Sequence, residues 1–210
     1  MNPESLHKCL SRLLPHLNDM QIALTGGVAI RLHVDEVRSD RIPAFAAEDV
    51  DFVAGSVHAI HPTVTSGFLV SHYHLPHPGY AKFLVQLVDP ASRLRLDFFP
   101  DTQRALSRAP VVDIGGVPIR MLGAEDILNH KIQLLAGAFA GSHVEEKHYA
   151  DAKRLGARCG REVPTIPASQ LVSTVYSQDL EEMCSRCETS RSAAFPLAPR
   201  AAIFDVLGYV

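Results

Sequence analysis

Three aspartates in the sequence are spaced so that their carboxylates could lie together. Asp49 and Asp51 are separated by one residue in the segment EDVDFV, which is typical of a β-strand. Side chains alternate across a strand, so both carboxylates point to one face while Val50 and Phe52 point into the core. Two carboxylates on one face repel each other and are costly to bury unless a cation lies between them. Because magnesium prefers oxygen ligands, the pair is a candidate metal site.

The third acid, Asp97, lies in the segment RLRLDFF, which is also predicted to be a strand. Alternation puts Leu94, Leu96 and Phe98 on one face of that strand and Asp97 on the other. If this strand lies beside the first, Asp97 completes a site of three carboxylates. The alternative is that the Asp-x-Asp pair, a common pattern, is simply solvated at the end of a strand.

Two glycines in the segment QIALTGGVAIRLH offer a second kind of chemistry. An apolar strand ends at Thr25, and a predicted helix follows Gly26 and Gly27. Glycines at a helix N-terminus expose backbone N–H groups and the positive end of the helix dipole, which suits phosphate. Alternatively, the glycines only let a tight turn pack. The sequence combines a phosphate-binding turn, an Asp-x-Asp pair on a strand and an acidic residue on a later strand. This combination is rarer than any one of its parts, so it favours the functional interpretation.

The elements that must position these residues predict an α+β fold, in which helices flank a mixed β-sheet and the C-terminal half is helical. Apolar periodicity predicts a helix over 4–18, strands over 21–25, 49–55, 68–74, 82–88 and 93–99, and a hairpin about Gly115-Gly116. Three further helices are predicted over 124–139, 144–159 and 167–187. We therefore expect an α/β core over residues 1–122 and a helical region over residues 123–210 that packs on it.

The composition excludes several classes of protein. Of the 210 residues, 47% are hydrophobic and 20% are charged, as in an ordinary globular protein. No apolar run approaches the roughly 18 residues of a membrane helix, and the N-terminus lacks the apolar region of a signal peptide. A formal net charge of −3 argues against nucleic-acid binding through bulk charge, but it leaves room for a local basic groove. We expect a soluble, cytoplasmic protein with no membrane partner.

On these motifs the sequence resembles the nucleotidyltransferase superfamily. Its pattern is an apolar strand, a Gly-Gly or Gly-Ser turn into a helix, an Asp-x-Asp pair on the next strand and an acidic residue on a later strand. In this sequence LTGGVA matches the first strand and the turn, DVD matches the Asp-x-Asp pair and RLD matches the later acid. The form GGVAIRLH is most similar to the AbiEii-type branch, known from abortive-infection toxins. That branch also has a lysine on a helix after the sheet, matched by Lys131, and a basic-acidic-x-x-Asp signature, matched by Lys147 and Asp151. The resemblance covers roughly residues 20–156, with His148 where the branch usually has an acid and Lys147 where it usually has arginine.

The resemblance implies a nucleotidyltransferase-type sheet and transfer of a nucleoside monophosphate from a nucleoside triphosphate to a hydroxyl acceptor. Asp49 and Asp51 would hold two Mg²⁺ ions, for which Mn²⁺ could substitute, and Asp97 would hold the ion that activates the acceptor hydroxyl. The predicted nucleotide-binding residues are Thr25, Gly26, Gly27, Lys131, Lys147 and Asp151. The acceptor stays open between RNA, a protein and a small molecule, and the toxin branch implies a cognate antitoxin partner.

Other interpretations stay open at this point. The altered signature at Lys147 is compatible with a non-catalytic relative that binds nucleotide or acts as an antitoxin-like partner. Lys147 could also simply pair with Asp151, four residues later on the same helix. The histidines of residues 58–77, His72 and His74 among them, could form the metal site of a hydrolase. Cys184 and Cys187 form one Cys-x-x-Cys pair, whereas structural zinc needs four ligands, so ordinary helix cysteines are favoured.

Overall fold

A computed structural model describes residues 3–35, 49–74, 82–139 and 141–173. Its centre is a mixed five-stranded sheet with the spatial order β1-β2-β5-β4-β3. The strands are β1 (Ile22–Thr25), β2 (Asp49–Ala54), β3 (Leu69–His74), β4 (Leu84–Asp89) and β5 (Leu94–Pro100). Only β2 and β5 pair in parallel, and the other neighbours within this sheet pair antiparallel. The predicted α+β fold is confirmed.

Four α-helices accompany the sheet in the described residues: α1 (Pro3–Leu13), α2 (Gly26–Val34), α3 (Ala124–Phe139) and α4 (Glu146–Cys159). Helix α1 packs one apolar side into the core, with Leu6, Leu10 and Leu13 fully buried. It ends earlier than residue 18 because a 3₁₀ turn that contains Pro15 follows it, and the residue before a proline disfavours α-helix. No helix of these ranges has the length and apolarity needed to cross a bilayer.

The two faces of the β2–β5 pair differ sharply, as the alternation of side chains predicts. Val50 and Phe52 of β2 and Leu96 and Phe98 of β5 are fully buried. The Phe52 and Phe98 rings stack with their centroids 4.9 Å apart. This apolar face anchors both strands in the core, so the opposite face holds its polar side chains on a rigid base.

A hairpin follows the sheet and leads to the second pair of helices. Strands β6 (Val111–Ile114) and β7 (Val117–Arg120) pair antiparallel across Gly115 and Gly116, as predicted. Both glycines have positive φ (64° and 89°), which a two-residue hairpin turn of this kind requires. After β7, the N–H of Leu122 donates to the carbonyl of Leu24, at 3.0 Å, which fixes the start of α3 beside β1.

The region after residue 123 is helical only in part. Helix α3 has its predicted bounds, but Val144–Glu145 form a short strand, β8, before α4 begins. The predicted helix over 167–187 is wrong where it is described, because one 3₁₀ turn at Ala168–Gln170 leads into β9 (Leu171–Val172). Parallel pairing of β9 with β8 competes with helix formation there. Residues 174–187, with Cys184 and Cys187, lie outside the described residues, and the boundary near residue 122 stays a prediction.

Candidate active site

The parallel register of β2 and β5 brings the three aspartates together. Asp51 lies directly opposite Asp97, and Asp49 lies opposite Arg95, two residues earlier on the same face. One carboxylate oxygen of each aspartate lies within 4.8 Å of the other two. Three convergent oxygen donors on a rigid strand pair are the kind of ligand set that a hard divalent cation prefers.

Negative charge is crowded at this site. Burial, together with the charges of Asp49 and Asp97, raises the pKa of Asp51 to about 7, although Lys131 and Lys147 partly offset the effect. Burial also raises the pKa of Asp97, against the opposing effect of Arg95. A bound cation would relieve this repulsion, so the charge distribution as well as the donor set fits a metal ion.

Arg95 is a member of the site that the sequence analysis did not assign. Its Nε donates to both carboxylate oxygens of Asp97 at 3.1 Å, and its Nη2 donates to Asp49 Oδ2 at 2.9 Å. Gln86 of β4 adds a third donor, from Nε2 to Asp97 Oδ1, at 3.1 Å. The signal was present in the sequence, because Arg95 and Asp97 alternate onto the same face of β5.

The two glycines after β1 have different surroundings. Gly26 has a φ of +63°, and a Cβ added to it would lie 1.8 Å from Asp51 Oδ2. A Cβ added to Gly27 would meet no heavy atom within 4 Å. Thr25, which pairs with Asp51 in the sheet, gives α2 no side-chain cap. The turn therefore packs on the carboxylate site through Gly26 and leaves open space at Gly27.

A buried ion pair links α3 and α4 beside this site. Lys131 is only 8% exposed, and its Nζ donates to Asp151 Oδ2 at 2.8 Å. Asp151 thus pairs with Lys131 rather than with Lys147, contrary to the pairing along α4 considered above. Lys147 is exposed, yet it and Lys131 both lower the pKa of Asp51. Both positive charges therefore act on the carboxylate site.

The histidines on and before β3 do not form a comparable cluster. Among the residues that the structure describes, the only group of three acidic, histidine or cysteine side chains with ligand atoms close together is Asp49, Asp51 and Asp97. His72 and His74 lie exposed on β3, and His61 contacts Thr63 at 2.9 Å. Among the described histidines the geometry therefore favours an acidic metal site over the histidine site of a hydrolase, and residues 75–77 of the histidine-rich segment lie outside the described residues.

No protein-family model matches the chain, and no curated protein matches it in sequence. Among solved structures, an antigenic nucleotidyltransferase-like protein from Paracoccidioides brasiliensis is similar at 19% identity and a TM-score of 0.44, over 94% of this chain and 90% of that one. The antibiotic-resistance factor ANT(2'')-Ia is similar at 17% identity and a TM-score of 0.45, over 91% of this chain and 93% of its own. The structure of ANT(2'')-Ia in complex with adenylyl-2''-tobramycin is also similar at 17% identity and a TM-score of 0.45, over 90% of this chain and 98% of that one. With these TM-scores below 0.5, the activity must be inferred from this chain's own residues, and the AbiEii-type branch stays a prediction.

Proposed function

We propose that this protein is a metal-dependent nucleotidyltransferase, which moves a nucleoside monophosphate from a nucleoside triphosphate to a hydroxyl group. The acceptor oxygen would bond to the α-phosphorus as the bond to the β-phosphate breaks, and pyrophosphate would leave. The observation that carries the proposal is the convergence of Asp49, Asp51 and Asp97 within 4.8 Å, beside an open helix N-terminus at Gly27. A triphosphate needs both features, because its charge must be neutralised while its reacting phosphorus is held in place.

The three carboxylates would have different roles in metal binding and proton transfer. Asp49 and Asp51 would hold Mg²⁺, as two ions on the family pattern, and Asp97 would contribute to the ion nearer the acceptor. Bound Mg²⁺ would neutralise the charge that develops on the transferring phosphoryl group. Asp97 would also accept the proton of the acceptor hydroxyl, because it would contribute to the ion that activates this hydroxyl.

The nucleotide would bind between the glycine turn and the lysines. The backbone N–H groups of the first turn of α2 lie at the positive end of its dipole, and the space beside Gly27 is open. Lys131 and Lys147 would add positive charge on the side formed by α3 and α4. These groups supply local attraction for a triphosphate in a chain whose formal net charge is −3.

Arg95 would stabilise the site when no metal is bound. Its guanidinium already compensates Asp49 and Asp97, whereas Asp51 has no such direct partner among the ion pairs of the described residues. A metal ion would then have to share two of its three carboxylates with Arg95. We therefore expect metal affinity to depend on the position of this arginine as well as on the aspartates.

The direct test follows two labels separately. The protein is incubated with Mg²⁺, each nucleoside triphosphate labelled at the α- or γ-phosphate, and RNA, protein and metabolite fractions of cells. We expect the α-label, and not the γ-label, to enter one fraction, and Asp97→Asn to abolish its entry while the fold is retained. Transfer of the γ-label would overturn the proposal. Triphosphate binding without any transfer would favour the non-catalytic nucleotide-binding alternative.

The same experiment distinguishes the acceptor classes, because the fraction that takes up the α-label is RNA, protein or small molecule. A toxin role, which the AbiEii-type resemblance implies, predicts that expression of the protein arrests cell growth and that Asp97→Asn removes the arrest. Growth arrest that persists in the Asp97→Asn variant would separate toxicity from the proposed chemistry. Rescue of growth by a neighbouring gene product would identify the antitoxin partner.

A further inference from the structure

His148 contacts the buried lysine beside the carboxylate site. Its Nδ1 lies 3.2 Å from Lys131 Nζ, which also donates to Asp151 Oδ2. An ammonium group can only donate hydrogen bonds, so Nδ1 of His148 must be the acceptor. The imidazole is therefore neutral, with its proton on Nε2, and that atom faces Glu145 Oε2 at 3.7 Å.

The surroundings of His148 hold it in this neutral form. Burial and the charge of Lys131 lower its pKa, and Lys147 acts in the same direction. Glu145 of β8 and Asp151 of α4 oppose burial and Lys131 with weaker effects, each of which is larger than the effect of Lys147. At neutral pH the imidazole is thus an uncharged acceptor for Lys131.

The neutral form of His148 matters for the net charge around Lys131. With a neutral residue at position 148, one carboxylate, that of Asp151, compensates the ammonium group directly. A carboxylate at position 148 would add a second negative charge at the same contact, so that the group of Lys131, Asp151 and residue 148 would carry a net negative charge and repel an anion. An imidazole supplies the hydrogen bond without that charge.

We propose that His148 is a positioning residue for Lys131, which fixes the ammonium group beside the carboxylate site without adding a second negative charge next to an anionic ligand. The ligand is a nucleoside triphosphate if the proposed function holds, and this part of the inference rests on that function. Two of the three ammonium protons are directed to His148 and Asp151, so the direction of the third is fixed as well.

The positioning claim is tested without any ligand. In protein with ¹⁵N-labelled lysine, a buried, doubly hydrogen-bonded ammonium group gives a slowly exchanging side-chain NMR signal, assigned through its absence in Lys131→Met. We expect His148→Gln and His148→Glu, which retain an acceptor, to keep this signal, and His148→Ala to lose it. His143→Gln, at an exposed histidine just before β8, is the matched control. An unchanged signal in folded His148→Ala would overturn the proposal.

The charge claim is tested by calorimetry with magnesium and a nucleoside triphosphate. We expect His148→Glu to weaken binding about tenfold and His148→Gln to stay within about threefold of the wild type, with thermal unfolding as the check of folding. In turnover, the loss for His148→Glu should fall on KM and not on kcat. Wild-type affinity in His148→Glu would overturn the charge claim. If the wild type itself binds no triphosphate, the proposed function fails, and the lysine spectra alone decide whether His148 positions Lys131.

Discussion

The carboxylate of Asp51 occupies the place where a side chain on Gly26 would lie. A Cβ on Gly26 would come 1.8 Å from Asp51 Oδ2, and the φ of +63° is itself rare for a residue with a side chain. The neighbouring Gly27 has neither constraint. The pair of glycines therefore combines two requirements, since one residue admits the acid and the other keeps the helix N-terminus open.

This relationship predicts different results for two alanine substitutions. Gly26→Ala should lower the free energy of unfolding by roughly 2–3 kcal/mol, because it strains the backbone and pushes Asp51 aside. It should also weaken Mn²⁺ binding, measured by electron paramagnetic resonance. Gly27→Ala is the matched control, and its stability should stay within about 0.5 kcal/mol of the wild type. Equal stability and Mn²⁺ affinity in the two variants would contradict the packing of Gly26 on Asp51.

Asp51 should make the metal-free protein less stable as the pH rises. Its pKa in the folded protein, about 7, lies above its ordinary value of 3.8, so the folded state binds this proton more tightly than the unfolded state. Stability is therefore lost between about pH 4 and pH 7, as Asp51 ionises among other carboxylates. Asp51→Asn should remove this loss and raise the free energy of unfolding at pH 8 by roughly 1–2 kcal/mol in EDTA.

Asp49→Asn gives the comparison for that measurement. Asp49 is paired with Arg95 at 2.9 Å, so its removal leaves the guanidinium with fewer partners and should not stabilise the protein. Denaturant unfolding of both variants at pH 5 and pH 8 measures the difference. If Asp51→Asn has the same free energy of unfolding as the wild type at both pH values, ionisation of Asp51 does not destabilise the folded protein.

Arg95 should make the fold less dependent on a metal ion. Replacing it with methionine removes the charge that compensates Asp49 and Asp97, so Arg95→Met should melt earlier than the wild type in EDTA. Mn²⁺ should then raise its melting temperature more than that of the wild type. Arg108→Met removes an exposed ion pair with Asp126. It is expected to change neither the melting temperature in EDTA nor the rise with Mn²⁺ by much. If Mn²⁺ raises the melting temperature of Arg95→Met no more than that of the wild type, Arg95 does not compensate the charges of the carboxylate site.

The buried pair of Lys131 and Asp151 should be strongly coupled. Asp151→Ala leaves a buried ammonium group without its carboxylate and should lower the free energy of unfolding by about 3 kcal/mol. The double variant Lys131→Met/Asp151→Ala should recover most of that loss, because no uncompensated charge remains. Additive losses in the double variant would contradict the pairing.

Lys147→Met, at an exposed position, should change stability little but weaken triphosphate binding.

The sequence predicted the parts of the site that depend on local periodicity. Alternation along two strands placed Asp51 and Asp97 on polar faces above apolar residues, and the parallel register then brought the two faces together. Helix α3 was predicted to the residue because its apolar spacing and its flanking signals agree. In these segments the local preference and the tertiary packing lead to the same structure.

The contacts between distant elements could not be predicted in the same way. The pairing of Lys131 with Asp151 depends on the packing of α3 against α4, whereas the sequence offered only the local spacing from Lys147. The approach of Gly26 to Asp51 likewise joins residues of different elements, α2 and β2. The predicted helix after residue 167 is wrong at Leu171–Val172 because pairing with β8 outweighs a weak helical periodicity.

The central claim, a metal–triphosphate site formed by the aspartates and the glycine turn, is tested most directly by calorimetric titration with a nucleoside triphosphate. Wild type, Gly27→Val and Asp49→Asn/Asp51→Asn are compared in Mg²⁺ and in EDTA, with folding checked for each. We predict binding by the wild type only in Mg²⁺, and affinity at least about tenfold lower in both variants. Equal affinity in all three folded proteins, or binding unaffected by EDTA, would contradict the claim.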